Sequence, residues 1–283
     1  MRLAPLLAAA LAVSSLAACG SRESATTTEQ PETVVKTIAA AELGEQGSLR
    51  ACVDLASPPF AFSRAGRETG FEVELLRQMT HRLGLDLIWV PTPRTDFATA
   101  LTARQCDVIV SRLGYDLDTQ FSLNVGALQY IALPLVLEVP AGSAKEPVAM
   151  TDLCGRSLAV VAWTAPAFDA LEQQKTCERD GEAALELVEA PSSRDALELV
   201  RSGRAEAVLD DALSAAALLA DQDAFDTAEV TGRKGYVAIG YRARRLSTEG
   251  GLHAALLTLY DDGVVRKLVA RWHLDGVTLL PLP

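Results

Sequence analysis

Eight side chains stand where short apolar runs end, and together they could grip a small charged molecule. Asp54 lies near the end of "LRACVDL" and Ser57 follows it, and Ser111 and Arg112 close or follow "CDVIVS". Trp163 and Thr164 follow "SLAVVA", and Asp210 and Asp211 close "EAVLDD". An arginine holds a carboxylate through a two-pronged hydrogen bond. An aspartate pairs with an amine, and a helix start offers N–H groups to an anion. This is the chemistry of binding. His81, His253 and His273 are scattered and make no His-Glu-x-x-His spacing, and no Cys-x-x-Cys pair is present. Gly-x-Ser-x-Gly, Walker and Gly-x-Gly-x-x-Gly runs are also missing. The expectation is a binding site with no catalytic residue, no metal and no cofactor.

The elements that must position these residues alternate. "LRACVDL", "LDLIWVP" and "CDVIVS" read as strands, separated by helices in "GFEVELLRQMTHRLG" and "TDFATALTARQ". In the first helix Phe71, Leu75, Leu76, Met79 and Leu83 share a face. The alternation recurs, with strands "SLAVVAW", "ALELVEA" and "EAVLDD" and helices "PAFDALEQQKTCERDG", "SRDALELVRSGRA" and "ALSAAALLADQ". Extended runs, "YIALPLVLEVPAGS" and "GYVAIGYR", follow the two units, and a helical stretch broken at Asp261-Asp262-Gly263 ends the chain. Two β-α-β units with parallel strands and two crossings imply an α/β, two-lobe fold with a cleft. Lobe 1 would hold residues 47–134 and 235–283, lobe 2 residues 135–234. Ligands sit outside the carboxyl ends of such strands, where the eight residues lie. Local roles compete with the cleft. Asp54 can cap a turn, and Asp210 or Asp211 can cap the helix that follows, one capping while the other faces the cleft.

Met1-Arg2 and the apolar run Leu3–Ala18 form a signal-peptide pattern, shorter than the about 20 residues a membrane helix needs. "LAAC" resembles the bacterial lipobox, which makes Cys19 the lipid-bearing first residue of the mature chain. Residues 19–46 open with a Ser-, Thr- and Glu-rich stretch and read as a leash. The expected location is exported, lipid-anchored at the cell envelope, on the periplasmic or extracytoplasmic face. Losing residues 1–18 removes one positive charge, Arg2, so the formal charge of −11 becomes −12. Nucleic acid is therefore excluded as a partner. Four cysteines remain, an even number in an exported chain. They admit three pairings, and chain order with lobe structure favours Cys52–Cys106 and Cys154–Cys177.

Over about residues 47–276 the chain resembles the type 2 periplasmic binding proteins, solute-binding protein family 3. The carriers are "LRACVDLASPPFAF", "GFEVELLRQM", "CDVIVS", "TDLCGRSLAVV", "DALELVRSGRAEAVLDD" and "YDDGVVRKLVARW". The resemblance implies capture of a small polar solute, an amino acid or organic anion, by lobe closure, for delivery to an ABC permease. It puts Asp211 at the amino-group position and Thr164 at the helix start that donates to the carboxylate. Lobe 1 departs from the pattern. The family's carboxylate-binding arginine would fall near Thr119, Ser57 stands where an aromatic is common, and Arg94 stands where Trp or Phe is common. Arg112 is the arginine on offer, out of register.

Cys52, "QCDV" and "GYD" also give partial likeness to the binding-protein-like partners of quinoprotein alcohol dehydrogenases. That makes a periplasmic accessory protein of a dehydrogenase the second reading. Cyclohexadienyl dehydratases share the fold, and an enzyme of that kind is the third.

Overall fold

A computed structural model describes residues 37–114, 124–143 and 147–282. The signal-like segment, Cys19 and the stretch around Thr119 lie outside them. Strands β1 (Ser48–Val53), β5 (Asp86–Pro91) and β6 (Val108–Leu113) run parallel in the order β5-β1-β6. Helices α1 (Phe71–Leu83) and α2 (Phe97–Thr102) are the crossovers. Between β1 and α1 lies a small antiparallel sheet of β2 (Ala56–Ser57), β3 (Ala61–Arg64) and β4 (Arg67–Thr69), which the sequence reading did not anticipate.

The second unit repeats the plan. Strands β9 (Ser157–Val161), β10 (Glu186–Ala190) and β11 (Ala207–Asp211) are parallel in the order β10-β9-β11. Helices α3 (Ala165–Asp180), α4 (Ser193–Arg201) and α5 (Ala212–Leu219) alternate with them. Helices α6 (Leu246–Asp261) and α7 (Val264–Arg271) close the chain. Their break is Gly263, at φ 69°.

Two long antiparallel strands, β7 (Val125–Pro140) and β12 (Phe225–Arg242), join the units into one sheet, with the short β8 (Val148–Ala149) paired to β12. Their pairing jumps from Val230–Leu135 to Lys234–Pro134, so Thr231, Gly232 and Arg233 are left out of register. Proline has no N–H to give the ladder. The hydrophobic core changes at the same place. Ile131 and Leu133 pack with Phe60, Leu75, Leu76 and Leu252, whereas Leu135 and Leu137 pack with Leu158, Val160 and Leu209. The first set builds lobe 1 and the second lobe 2. Each buried Leu, Ile or Phe contributes about 1.5–3 kcal/mol.

Both disulfides are formed, Cys52–Cys106 in lobe 1 and Cys154–Cys177 in lobe 2, each with 5.6 Å between α carbons. Cys106 lies just ahead of β6, the neighbour of β1, which brings it within reach of Cys52. The leash expectation needs one correction, because its end is packed. Ile38 and Leu43 are buried, and the Glu42 carboxylate accepts from the Ser247 and Thr248 N–H groups at the start of α6.

Candidate functional site

Helix α1 supplies the first functional group. Its N-cap is Gly70 at φ 127°, where a Cβ would lie 2.1 Å from the Phe60 carbonyl oxygen, so only glycine fits. One residue into the helix, Glu72 turns inward and is 1% exposed. Its Oε2 accepts from the N–H groups of Ser111 (3.1 Å) and Arg112 (2.5 Å), and its Oε1 from the Tyr130 hydroxyl (2.8 Å). Ser111 and Arg112 have φ of 105° and 59°. Such backbone is costly for non-glycine residues, and the Glu72 carboxylate holds it. Burial pushes the Glu72 carboxyl above its ordinary range, opposed by the Tyr130 hydroxyl, the Arg112 N–H, the Arg94 charge and the Ser111 N–H.

That turn aims Arg112 across to lobe 2. The guanidinium, 1% exposed, gives Nη1 to both Asp210 and Asp211, and Nη2 lies 3.3 Å from Ser193 Oγ. Burial works against the Arg112 charge, but the two aspartates outweigh it and raise the pKa. Asp211 also caps α5, its Oδ1 accepting from the Leu213 and Ser214 N–H groups (3.1 and 2.9 Å). The division of labour expected between the pair is therefore corrected. Asp211 caps and faces Arg112, and Asp210 faces Arg112 too, accepting from Ser193 Oγ at 2.9 Å. Burial pushes Asp210 up, with Arg112 pulling it down.

A second cluster sits at the end of β1. Asp54 Oδ2 pairs with Arg94 Nε at 2.7 Å, and its Oδ1 accepts from the Ala56 N–H at 3.1 Å. Asp54 thus caps its turn and binds an arginine. Ser57 Oγ accepts from Arg94 Nη2, and Ser111 Oγ donates to the Asp54 carbonyl at 3.0 Å. Arg94 is 2% exposed. Burial lowers its pKa to about 10, against the pull of Asp54.

Trp163 and Thr164 lie where β9 turns into α3 and form a third contact. Thr164 caps α3, with Oγ1 accepting from the Ala167 N–H at 3.4 Å and donating to the Val161 carbonyl at 2.6 Å. Trp163, at φ 63°, accepts the Gly114 N–H at 2.8 Å and packs against the lobe 1 cluster around Cys52, Phe97 and Cys106. A Cβ on Gly114 would lie 2.4 Å from backbone atoms of Thr164 and Ala165. The lobes thus meet backbone to backbone beside the Arg112 bridge.

Four groups in these clusters escaped the sequence reading. Glu72 had a signal, since 72, 75, 76 and 79 form one helical face and an acid within it is buried. Glu138, a lone acid in "ALPLVLEVP", had a similar one. It is fully buried, neither carboxyl oxygen has a partner, and burial and Asp210 push it up to about 9, with Arg112 opposing. Tyr130 and Ser193 gave no sign. Among the described residues no group of His, Cys, Asp and Glu could hold a metal, and no helix is long and apolar enough to cross a membrane.

Residues 49–275 match the family of bacterial extracellular solute-binding proteins, family 3. The chain belongs to that family. It is 25% identical over 246 residues to the L-cystine-binding protein TcyJ of Escherichia coli K12, covering 83% of this chain and 85% of that protein. Among solved structures, a mutant of ArgBP from T. maritima superposes with a TM-score of 0.67 at 23% identity, covering 81% of this chain and 96% of that one. An ancestral amino acid-binding protein, a precursor of cyclohexadienyl dehydratase, gives 0.64 at 22% identity, covering 80% and 95%. At these identities the structural likeness establishes the two-lobe fold. Family 3 membership makes this a solute-binding protein that works outside the cytoplasm.

Proposed function

We propose that the protein captures a small zwitterion, an amino acid, or a related organic anion between lobe 1 (47–134 and 235–283) and lobe 2 (135–234). It then presents the solute to an ABC-type permease. The observation that carries this is the bridge from Arg112 to Asp210 and Asp211 across the lobes. A carboxylate receptor and an ammonium receptor face one another there. A zwitterion entering as the lobes part replaces the Arg112–Asp211 ion pair with two of the same chemistry. Arg112 takes its carboxylate, helped by Thr164 at the α3 start, and Asp211 takes its amine. Glu72 keeps Arg112 in place, and Asp54, Ser57, Arg94, Ser111 and Trp163 wall the cleft.

Lipid on Cys19 tethers the protein to the envelope. Amino-acid names among the relatives support the solute class, and the reading assigns no reaction. A thermal-shift screen of amino acids, L-cystine and dicarboxylates tests it, because a ligand that binds the folded state raises the melting temperature. The Cys52–Cys106 bond lies in the part of lobe 1 that resembles the dehydrogenase-associated subgroup. If no amino or organic acid shifts the transition, that accessory role takes precedence, and pull-down against quinoprotein dehydrogenases is the measurement that follows.

A further inference from the structure

A cavity of about 380 Å³ opens between the lobes beside the Arg112 bridge. Lobe 1 contributes Ser57 and Pro58 to its wall, and lobe 2 contributes Ser192, Ser193, Arg194 and Ser214. Two of these touch the charged clusters through their hydroxyls. Ser57 is bonded to Arg94, and Ser193 to Asp210 and Arg112. A group held at Arg112 and Asp211 would therefore send its remaining atoms into this space.

The groups left over around the cavity can all donate, and none of them is an acid. Ser214 is 4% exposed and its buried Oγ has no partner. Arg94, 2% exposed, has a buried Nη1 with no partner, next to Ser57. Arg194 is exposed, and no hydrogen bond or ion pair engages its guanidinium among the described residues. The first N–H groups of α4, those of Ser193 and Arg194, have no carbonyl within the helix to bond. The acids nearby are already engaged. Asp54 is held by Arg94 and the Ala56 N–H, Asp195 by the Ser192 hydroxyl at 2.5 Å, and Asp210 and Asp211 by Arg112. Glu138, with its unpartnered carboxyl, does not line the cavity.

We propose that this cavity is the side-chain subsite of the cleft. It accepts a distal group rich in hydrogen-bond acceptors, a carboxylate or carboxamide, and rejects a cationic one. The inference rests on the zwitterion reading above. A distal carboxylate or amide oxygen meets Ser214, Arg194 and the α4 N–H groups, whereas a distal guanidinium or ammonium finds no unengaged acid and is repelled by Arg194.

The test is calorimetric titration of the full chain with L-glutamate, L-glutamine and L-arginine, repeated on Arg194→Glu and Ser214→Val. Arg194 is exposed, so its variant folds, and circular dichroism checks both. L-glutamate or L-glutamine is expected to bind at least about tenfold more tightly than L-arginine, as one charge-assisted hydrogen bond allows. Arg194→Glu should shrink that ratio at least about tenfold by weakening glutamate and strengthening arginine. Arginine binding as tightly as the other two overturns the subsite and leaves zwitterion capture standing. A preference that neither variant alters also overturns it. If none of the three binds, the subsite falls, and zwitterion capture is decided by the wider screen of amino acids and L-cystine.

Discussion

Glu72 shows how a buried acid can serve a site without facing its ligand. Its carboxylate satisfies two N–H groups on a left-handed turn and one hydroxyl. Glu72→Ala leaves all three buried without a partner. Each unsatisfied donor costs about 1–3 kcal/mol, so urea unfolding should register a loss of at least about 3 kcal/mol. Glu72→Gln, whose amide oxygen can still take both N–H groups, should keep most of that stability. Glu138 sets a different expectation. In the unfolded chain its carboxyl ionises near the ordinary 4.5, and in the folded chain near 9. Between those values the folded chain retains a proton that the unfolded chain has lost, so stability falls as pH rises through the window and levels off above it. Glu138→Gln cannot titrate. Its stability relative to the native chain should grow from pH 5 to pH 9 by at least about 1 kcal/mol, read from melting curves at each pH, and a difference that stays constant would contradict the assignment. The strand-end rule found Asp54, Arg112, Thr164 and Asp211 because backbone topology dictates where strands end. It could not find Ser193 or Tyr130, whose roles depend on how neighbouring elements pack.

At the level of elements, helical and strand periodicity foretold α1, β6, β9 and α4, since each presents one face to one core. The β2–β4 sheet escaped because its strands are too short for a period to show. Its turn at Ala65 and Gly66, at φ 50° and 74°, was the sole local cue. The full length of β7 and β12 escaped for another reason. Each strand serves two cores, and the apolar pattern breaks at Pro134 where one core gives way to the other. Parity of cysteines succeeded because covalent geometry joins only neighbouring elements. By the chain-entropy model the Cys52–Cys106 and Cys154–Cys177 bonds, separated by 54 and 23 residues, stabilise the fold by roughly 3–4 kcal/mol each. The Cys52→Ser/Cys106→Ser pair should therefore cost somewhat more in denaturant midpoint than the Cys154→Ser/Cys177→Ser pair. The contact between the β6 end and the α3 start makes a prediction of its own. Gly114→Ala drives a methyl group into the Thr164–Ala165 backbone, so the lobes should part, and small-angle scattering should register a larger radius of gyration than for the native chain.

The whole molecule is an acidic, two-lobed binder in which the buried charges of Arg112, Asp210 and Asp211 meet between the lobes. Cys19→Ser should move it from the membrane fraction to the soluble fraction, and unchanged fractionation would count against the lipid tether. On the proposed function, two lobes joined by two strands, with a buried arginine on one and a pair of aspartates on the other, trap a molecule that carries both charges. The most direct test is calorimetric titration of the native chain and of Asp211→Asn with the amino acid that raises the melting temperature most. Asparagine caps a helix as well as aspartate does, so α5 remains intact, and what is lost is the carboxylate charge that Asp211 offers to Arg112 and, on the proposed function, to the amine. Removing one partner of a buried charge pair costs about 2–5 kcal/mol. The account predicts that Asp211→Asn binds at least about 30-fold more weakly than the native chain, and binding within about threefold of the native chain would contradict it.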